Sequence, residues 1–174
     1  MLPQPLDASP EEVRTLLQPL RNRLSIALCT LGNAFSVGAI IRVAHSYLVR
    51  EIILIGDTPH YEKASMGMEK YETIVRVPDE ASFLAYAKGR PLLCFEREAA
   101  TRSLYDEAPF PDDSIMVFGS ERFGTPASLL ERATAIVAVP MYGVNHSLPV
   151  AVCAGIALSE WARRHYAGKP QLNP

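Results

Sequence analysis

Three segments of the chain carry the side chains best suited to chemistry: Gly32-Asn33 with Arg42 beyond it, Gly119-Ser120-Glu121-Arg122-Phe123-Gly124, and residues 141–147. The middle segment decides a first question. A dinucleotide-binding turn reads Gly-x-Gly-x-x-Gly, and its second glycine lets the backbone approach a pyrophosphate. Glu121 stands at that position. A carboxylate there blocks the approach and repels phosphate, which argues against a dinucleotide. No lysine-bearing phosphate loop is present either. A ligand with hydroxyls and positive charge but no phosphate suits the segment better, and S-adenosylmethionine, with a sulfonium and a ribose, is such a ligand.

These segments need elements to hold them. Residues 24–31 read as an apolar first strand that ends at the Gly32-Asn33 turn. From Val37 the period becomes helical: Val37, Ile40, Ile41, Ala44, Tyr47 and Leu48 recur at i, i+3, i+4, i+7 and bury one face. Gly38, Arg42 and His45 fall on another stripe, and Gly38 leaves room for a partner or ligand to reach the Arg42 guanidinium. Further strands are expected at residues 51–56, 73–77, 91–95, 114–118 and 134–139. A turn-rich loop spans 57–69, a helix runs from Asp79 to about Lys88, and Glu96-Arg97-Glu98 ends the fourth strand. Thr101-Arg102-Ser103 read as loop. Thr125 reads as the cap of a helix over 126–132. Pro140, unable to donate to a ladder, stops the last strand. Ser147 reads as the N-cap of the most apolar helix, with Pro149 in its first turn and the Val150 amide bonded to the Ser147 hydroxyl. Ala151, Cys153, Ala154, Gly155 and Ala157 make that helix flat enough for another backbone to come close. Strands alternating with helices predict an α/β fold, a mainly parallel sheet flanked by helices, with ligands beyond the carboxyl ends of the strands.

Composition sets outer limits. At 174 residues and 48% hydrophobic, the chain is expected to form one domain with a sizeable core, with residues 1–20 a tail and short helix and 165–174 a fraying tail. Its longest apolar run, residues 149–158, is too short to span a bilayer. The N-terminus lacks the order of a secretion signal. Cys29, Cys94 and Cys153 are isolated within apolar stretches, without metal-ligand spacing, and read as reduced residues of a cytoplasmic protein. A net charge of −2 gives no global sign of nucleic-acid binding, so any RNA contact needs a local basic patch.

Taken together, three stretches resemble the motifs of the SPOUT superfamily in its SpoU/TrmH-like branch: Asn33-Ala-Phe-Ser-Val-Gly-Ala-Ile-Ile-Arg42, Val117-Phe-Gly-Ser-Glu-Arg-Phe-Gly124, and Val139-Pro-Met with Ser147-Leu-Pro-Val-Ala-Val-Cys-Ala-Gly155. The resemblance covers roughly residues 25–164. It implies a C-terminal trefoil knot, a homodimer, and an enzyme that binds S-adenosylmethionine and methylates a ribose 2′-hydroxyl of tRNA or rRNA. Arg42 resembles the catalytic arginine; because a guanidinium is essentially never deprotonated, it would position the hydroxyl or a neighbouring phosphate. Asn33 would orient Arg42 or bind RNA, Glu121 would fix the site's geometry, and Ser147 belongs to the same catalytic set. Phe95, Gly119, Val139, Met141, Ser147 and Leu148 would line the cofactor site. No metal or membrane is implied.

The chain departs from the pattern at Pro149, where the family usually has Asn, and at Ala151, where it usually has Ser. Both changes remove hydrogen-bonding side chains. They keep open a second reading, a knotted protein that binds RNA or the cofactor without catalysis. A third is an unrelated nucleotide-binding α/β protein. Arg21, Arg23, Arg42, Arg97, Arg102 and Arg122 are the basic candidates for RNA phosphates, with a solvated edge the default for Arg21 and Arg23.

Overall fold

The structure is a computed structural model that describes residues 8–106, 108 and 110–166. The expected fraying tail lies almost wholly outside these residues. Strands β1 (Ser25–Cys29), β2 (Glu51–Ile55), β3 (Ile74–Val77), β4 (Leu92–Phe95), β5 (Arg102–Ser103), β6 (Ile115–Phe118) and β7 (Ala135–Ala138) form one sheet in the order β3-β2-β1-β6-β4-β7-β5. All six pairings are parallel.

The period-2 geometry of the strands divides the core. Ile26, Leu28, Ile52, Leu54, Leu93, Phe95, Met116 and Phe118 pack on one face, beneath helices α2 (Ala34–Ser46) and α6 (Val150–Tyr166). Their neighbours Ala27, Cys29, Ile53, Ile55, Cys94, Ile115 and Val117 pack on the other. That face is covered by α4 (Glu80–Ala87), through Phe83 and Ala87, and by the one-turn α5 (Ala127–Leu130), through Leu129. Burial on both faces explains why the central strands are continuously apolar.

Helix α2 keeps its expected face: Val37, Ile40, Ile41 and Ala44 are fully buried, whereas Tyr47 and Leu48 are half-buried beyond its end. It packs on α6, where Val43 meets Gly155 with 3.9 Å to an added Cβ. The N-terminal helix α1 (Pro10–Leu17) carries a capping box between Ser9 and Glu12. Within the expected turn-rich loop lies one more turn of helix, α3 (Glu62–Ser65). Among the described residues no helix is long and apolar enough to cross a membrane.

Several local expectations are corrected. Arg102 and Ser103 are an edge strand rather than loop, paired with Val137 and Ala138 of β7. Gly38 makes no opening toward Arg42; a Cβ there would lie 2.5 Å from the Tyr61 carbonyl oxygen and 2.8 Å from Ala64 Cβ, so α3 fills the space. Pro126, not Thr125, stands at the N-cap of α5, without a side-chain bond. Arg21 is neither solvated nor open to phosphate. It donates to Glu72 Oε2 at 2.7 Å and to the Val49 and Tyr71 carbonyls, and both side chains of the ion pair are almost wholly buried. Glu72 also holds His45 Nδ1 at 2.7 Å.

Candidate active site

A cavity of about 550 Å³ opens beyond the carboxyl ends of β4, β6 and β7, within the range of small-ligand sites. Three loops wall it: 95–99 after β4, 119–125 after β6, and 139–148 between β7 and α6. Phe95 and Phe118 form an apolar floor, stacked with ring centroids 4.9 Å apart.

The two glycines of Gly-x-Glu-x-x-Gly serve the loop's own closure. The Ser120 amide donates to the Gly124 carbonyl at 3.2 Å, and the Gly124 amide returns a bond to the Ser120 carbonyl at 2.8 Å. A Cβ on Gly119 would sit 2.2 Å from the Gly124 carbonyl carbon and 2.3 Å from the Thr125 nitrogen, so only glycine lets the two limbs touch. Gly124 has φ +68°, and a Cβ there would meet Glu96 Oε2 at 2.7 Å.

Glu121 is the link between the second and third segments. Its Oε1 accepts from the Val150 amide at 3.4 Å, placing a carboxylate at the positive end of a 17-residue helix. The cap expected from Ser147 is therefore not formed. The helix begins at Val150, after Pro149, whose carbonyl accepts from the Val152 and Cys153 amides. Ser147 remains exposed on the cavity wall, its carbonyl accepting from Asn145 Nδ2 at 3.2 Å.

All six residues expected to line a cofactor site, Phe95, Gly119, Val139, Met141, Ser147 and Leu148, line this one cavity, together with Glu121. Asn33 and Arg42 do not. Asn33 caps α2, its Oδ1 accepting from the Phe35 and Ser36 amides at 3.0 and 3.4 Å, and it makes no hydrogen bond to Arg42. Arg42 is exposed on α2.

Sequence reasoning missed Glu96 and Thr125. Glu96 reads as the polar end of a strand, yet its carboxylate turns into the cavity wall. There Oε2 accepts from the Thr125 amide and Oε1 from the Arg97 amide, each at 3.1 Å. Burial pushes the Cys153 thiol up to about 12, with the Glu96 charge adding to the shift, so Cys153 is a neutral wall residue. Thr125 lines the cavity with its hydroxyl buried and without a hydrogen-bond partner.

Comparison with known proteins agrees with this geometry. A family model described as the SpoU rRNA Methylase family matches residues 23–159. A 23S rRNA (guanosine-2′-O-)-methyltransferase from Coxiella burnetii is 26% identical over 164 residues, 89% of this chain and 66% of that protein. A tRNA (guanosine(18)-2′-O)-methyltransferase from Thermus thermophilus is 26% identical over 174 residues, 92% of this chain and 89% of that one. The crystal structure of an AdoMet-bound rRNA methyltransferase from Sinorhizobium meliloti matches with a TM-score of 0.74 at 26% identity, covering 88% of this chain and 60% of that one. The chain thus spans slightly less than two thirds of the Coxiella relative's length and most of the Thermus relative's. The matched residues run from the start of β1 into α6 and include every loop that walls the cavity, and the chain belongs to the SpoU methylase family of the SPOUT superfamily.

Proposed function

We propose that the protein is an S-adenosylmethionine-dependent RNA methyltransferase acting on a ribose 2′-hydroxyl of tRNA or rRNA. The observation that carries this reading is the convergence of the second and third motifs on one cavity, with Glu121 tying the loop of one to the helix of the other. The residues present fit the cofactor. The Glu121 position disfavours phosphate, Glu96 is a half-buried carboxylate without a cationic partner among the described residues, and the Thr125 hydroxyl lacks one of any kind. Phe95, Gly119, Val139, Met141, Ser147 and Leu148 would hold the cofactor, and when bound it supplies an electrophilic methyl group on a sulfonium.

The chain's part is orientation. Arg42, always protonated, holds the 2′-hydroxyl oxygen or an adjacent phosphate, and Asn33 sets the start of the helix that carries Arg42. Glu121 keeps the two cofactor loops in register, and Ser147 stands at the cavity mouth. Fixing a hydroxyl in line with a reactive methyl removes the entropy of bringing them together. Exposed Arg97 and Arg122 at the rim, with Arg42, supply phosphate contacts; these position RNA without reading its sequence.

The same reading carries a trefoil knot, a homodimer and a cytoplasmic location. In support of the knot, β6 lies between β1 and β4, β7 lies beyond β4, and α6 returns to pack on α2 while its first amide bonds Glu121 in the loop after β6. Transfer of labelled methyl from S-adenosylmethionine into RNA ribose tests the activity. Arg42→Ala is expected to lower it at least a hundredfold while cofactor affinity stays unchanged. Cofactor and RNA binding without turnover in the wild type would instead favour the non-catalytic reading, which Pro149 and Ala151 motivate.

A further inference from the structure

Among the described residues, Glu96 is the one charged residue lining the cavity that is not exposed; Arg97, Glu98, Glu121, Arg122 and His146 are all exposed. Each of its two oxygens already accepts one backbone amide, from Arg97 and from Thr125. Neither amide uses up an oxygen, because a carboxylate accepts about four hydrogen bonds in all. One acceptor site per oxygen is left. Beside it, Thr125 turns its backbone amide to Glu96 while its own hydroxyl, in a residue only 6% exposed, has no partner. A buried hydroxyl without a hydrogen-bond partner is costly to keep, and this one belongs to a cavity-lining residue.

Two acceptors side by side, with a neighbouring hydroxyl, match a ligand group that offers two parallel O–H donors. A sulfonium offers no such donor. An ammonium would find the same acceptors, and 5′-methylthioadenosine, which has the diol but no ammonium, separates the two.

We propose that Glu96 and Thr125 form the diol-binding corner of the cavity. Each ribose hydroxyl of the cofactor donates to one Glu96 oxygen, and the Thr125 hydroxyl bonds to one of the same pair. This deepens the cofactor reading and rests on it. Gly124 then has a second reason to be glycine, since any side chain there would push the Glu96 carboxylate out of place.

Calorimetric titration of the full chain with S-adenosylmethionine, 5′-methylthioadenosine and 2′,3′-dideoxy-5′-methylthioadenosine tests the assignment. Glu96→Gln is expected to weaken the first two about tenfold or more, as loss of charge-assisted hydrogen bonds implies, and to leave the dideoxy compound's affinity unchanged. Thr125→Val is expected to cost less affinity without lowering the ligand-free melting temperature, because no bond is lost there. If Glu96→Gln weakens S-adenosylmethionine but not 5′-methylthioadenosine, the carboxylate addresses the amino-acid end and the proposal is wrong. Equal losses for the diol and dideoxy compounds would show a merely structural role and overturn it as well. A wild-type chain that binds none of the three overturns the cofactor reading itself, which separates the two failures.

Discussion

At the residue scale, the glycines of the second motif do different work from those of a phosphate loop. Gly119 is fixed by space: its missing Cβ is replaced by the backbone of Gly124 and Thr125. Gly124 is fixed by its left-handed φ and by Glu96. Gly119→Ala therefore sets a methyl against backbone that cannot step aside unless the Ser120–Gly124 closure opens. It is expected to destabilise the protein by about 1–3 kcal/mol, as overpacking does, and to abolish cofactor binding. Gly32→Ala, where nothing lies within 4 Å, is the matched control and should do neither. Urea denaturation with cofactor titration of both variants checks this; equal behaviour would detach the motif's glycines from the site.

At the scale of elements, charges that look like surface in the sequence are fastened inside. Arg21 joins the turn after α1 to Glu72, ahead of β3, with both side chains almost wholly out of water. Removing Arg21 leaves the buried Glu72 carboxylate with only His45 beside it, so Arg21→Met is expected to cost about 3–5 kcal/mol in urea unfolding. RNA affinity should keep its salt dependence in that variant, since no phosphate contact is lost. The last turn of α6 is held the same way. Glu160 is depressed to about 2 by hydrogen bonds from Arg163 and Arg164, the latter also reaching the Leu104 and Ala108 carbonyls. A carboxylate whose folded pKa lies below its unfolded value stabilises the fold above about 4.5 and loses that contribution as pH falls toward 2. Acid titration of stability should show that limb in the wild type, and Glu160→Gln should lack it. These pairings also mark how far the sequence could be read. The apolar runs of β1 and β2 and the 3.6-residue period of α2 are local signals and were legible. The six residues expected around a cofactor came from the family resemblance rather than from any local pattern, and all six border the cavity. Arg21, Glu96 and the true cap of α6 depend on partners 29 to 51 residues away, which no local pattern encodes. The two-residue β5 exists because β7 offers it an edge, not because Arg102 and Ser103 favour a strand.

At the scale of the whole molecule, the proposed reaction requires the cofactor cavity and Arg42 to meet over one ribose, yet Arg42 is absent from the cavity wall. The exposed apolar surface suggests how a second copy would complete the site. Phe35 at the start of α2 is 62% exposed, and Val152 in the first turn of α6 is 46% exposed, although both sit on helices whose other faces are core. Tyr142 and Val144, in the loop that walls the cavity, are almost fully exposed. A symmetric pairing through the start of α6 would cover this surface and bring a second α2, with its arginine, toward the first cavity. An interface of about 800 Å² on each partner is the usual scale for a stable dimer. Val152→Glu, a charge placed at the middle of that contact, is expected to turn a sedimenting dimer into a monomer. The monomer should bind S-adenosylmethionine with unchanged affinity, because Val152 does not line the cavity, but should transfer no methyl to RNA. Retained binding with lost transfer is the signature of a site shared between copies. A fully active Val152→Glu monomer would mean that one chain folds its own Arg42 to the donor, and the dimer would then have no part in the chemistry.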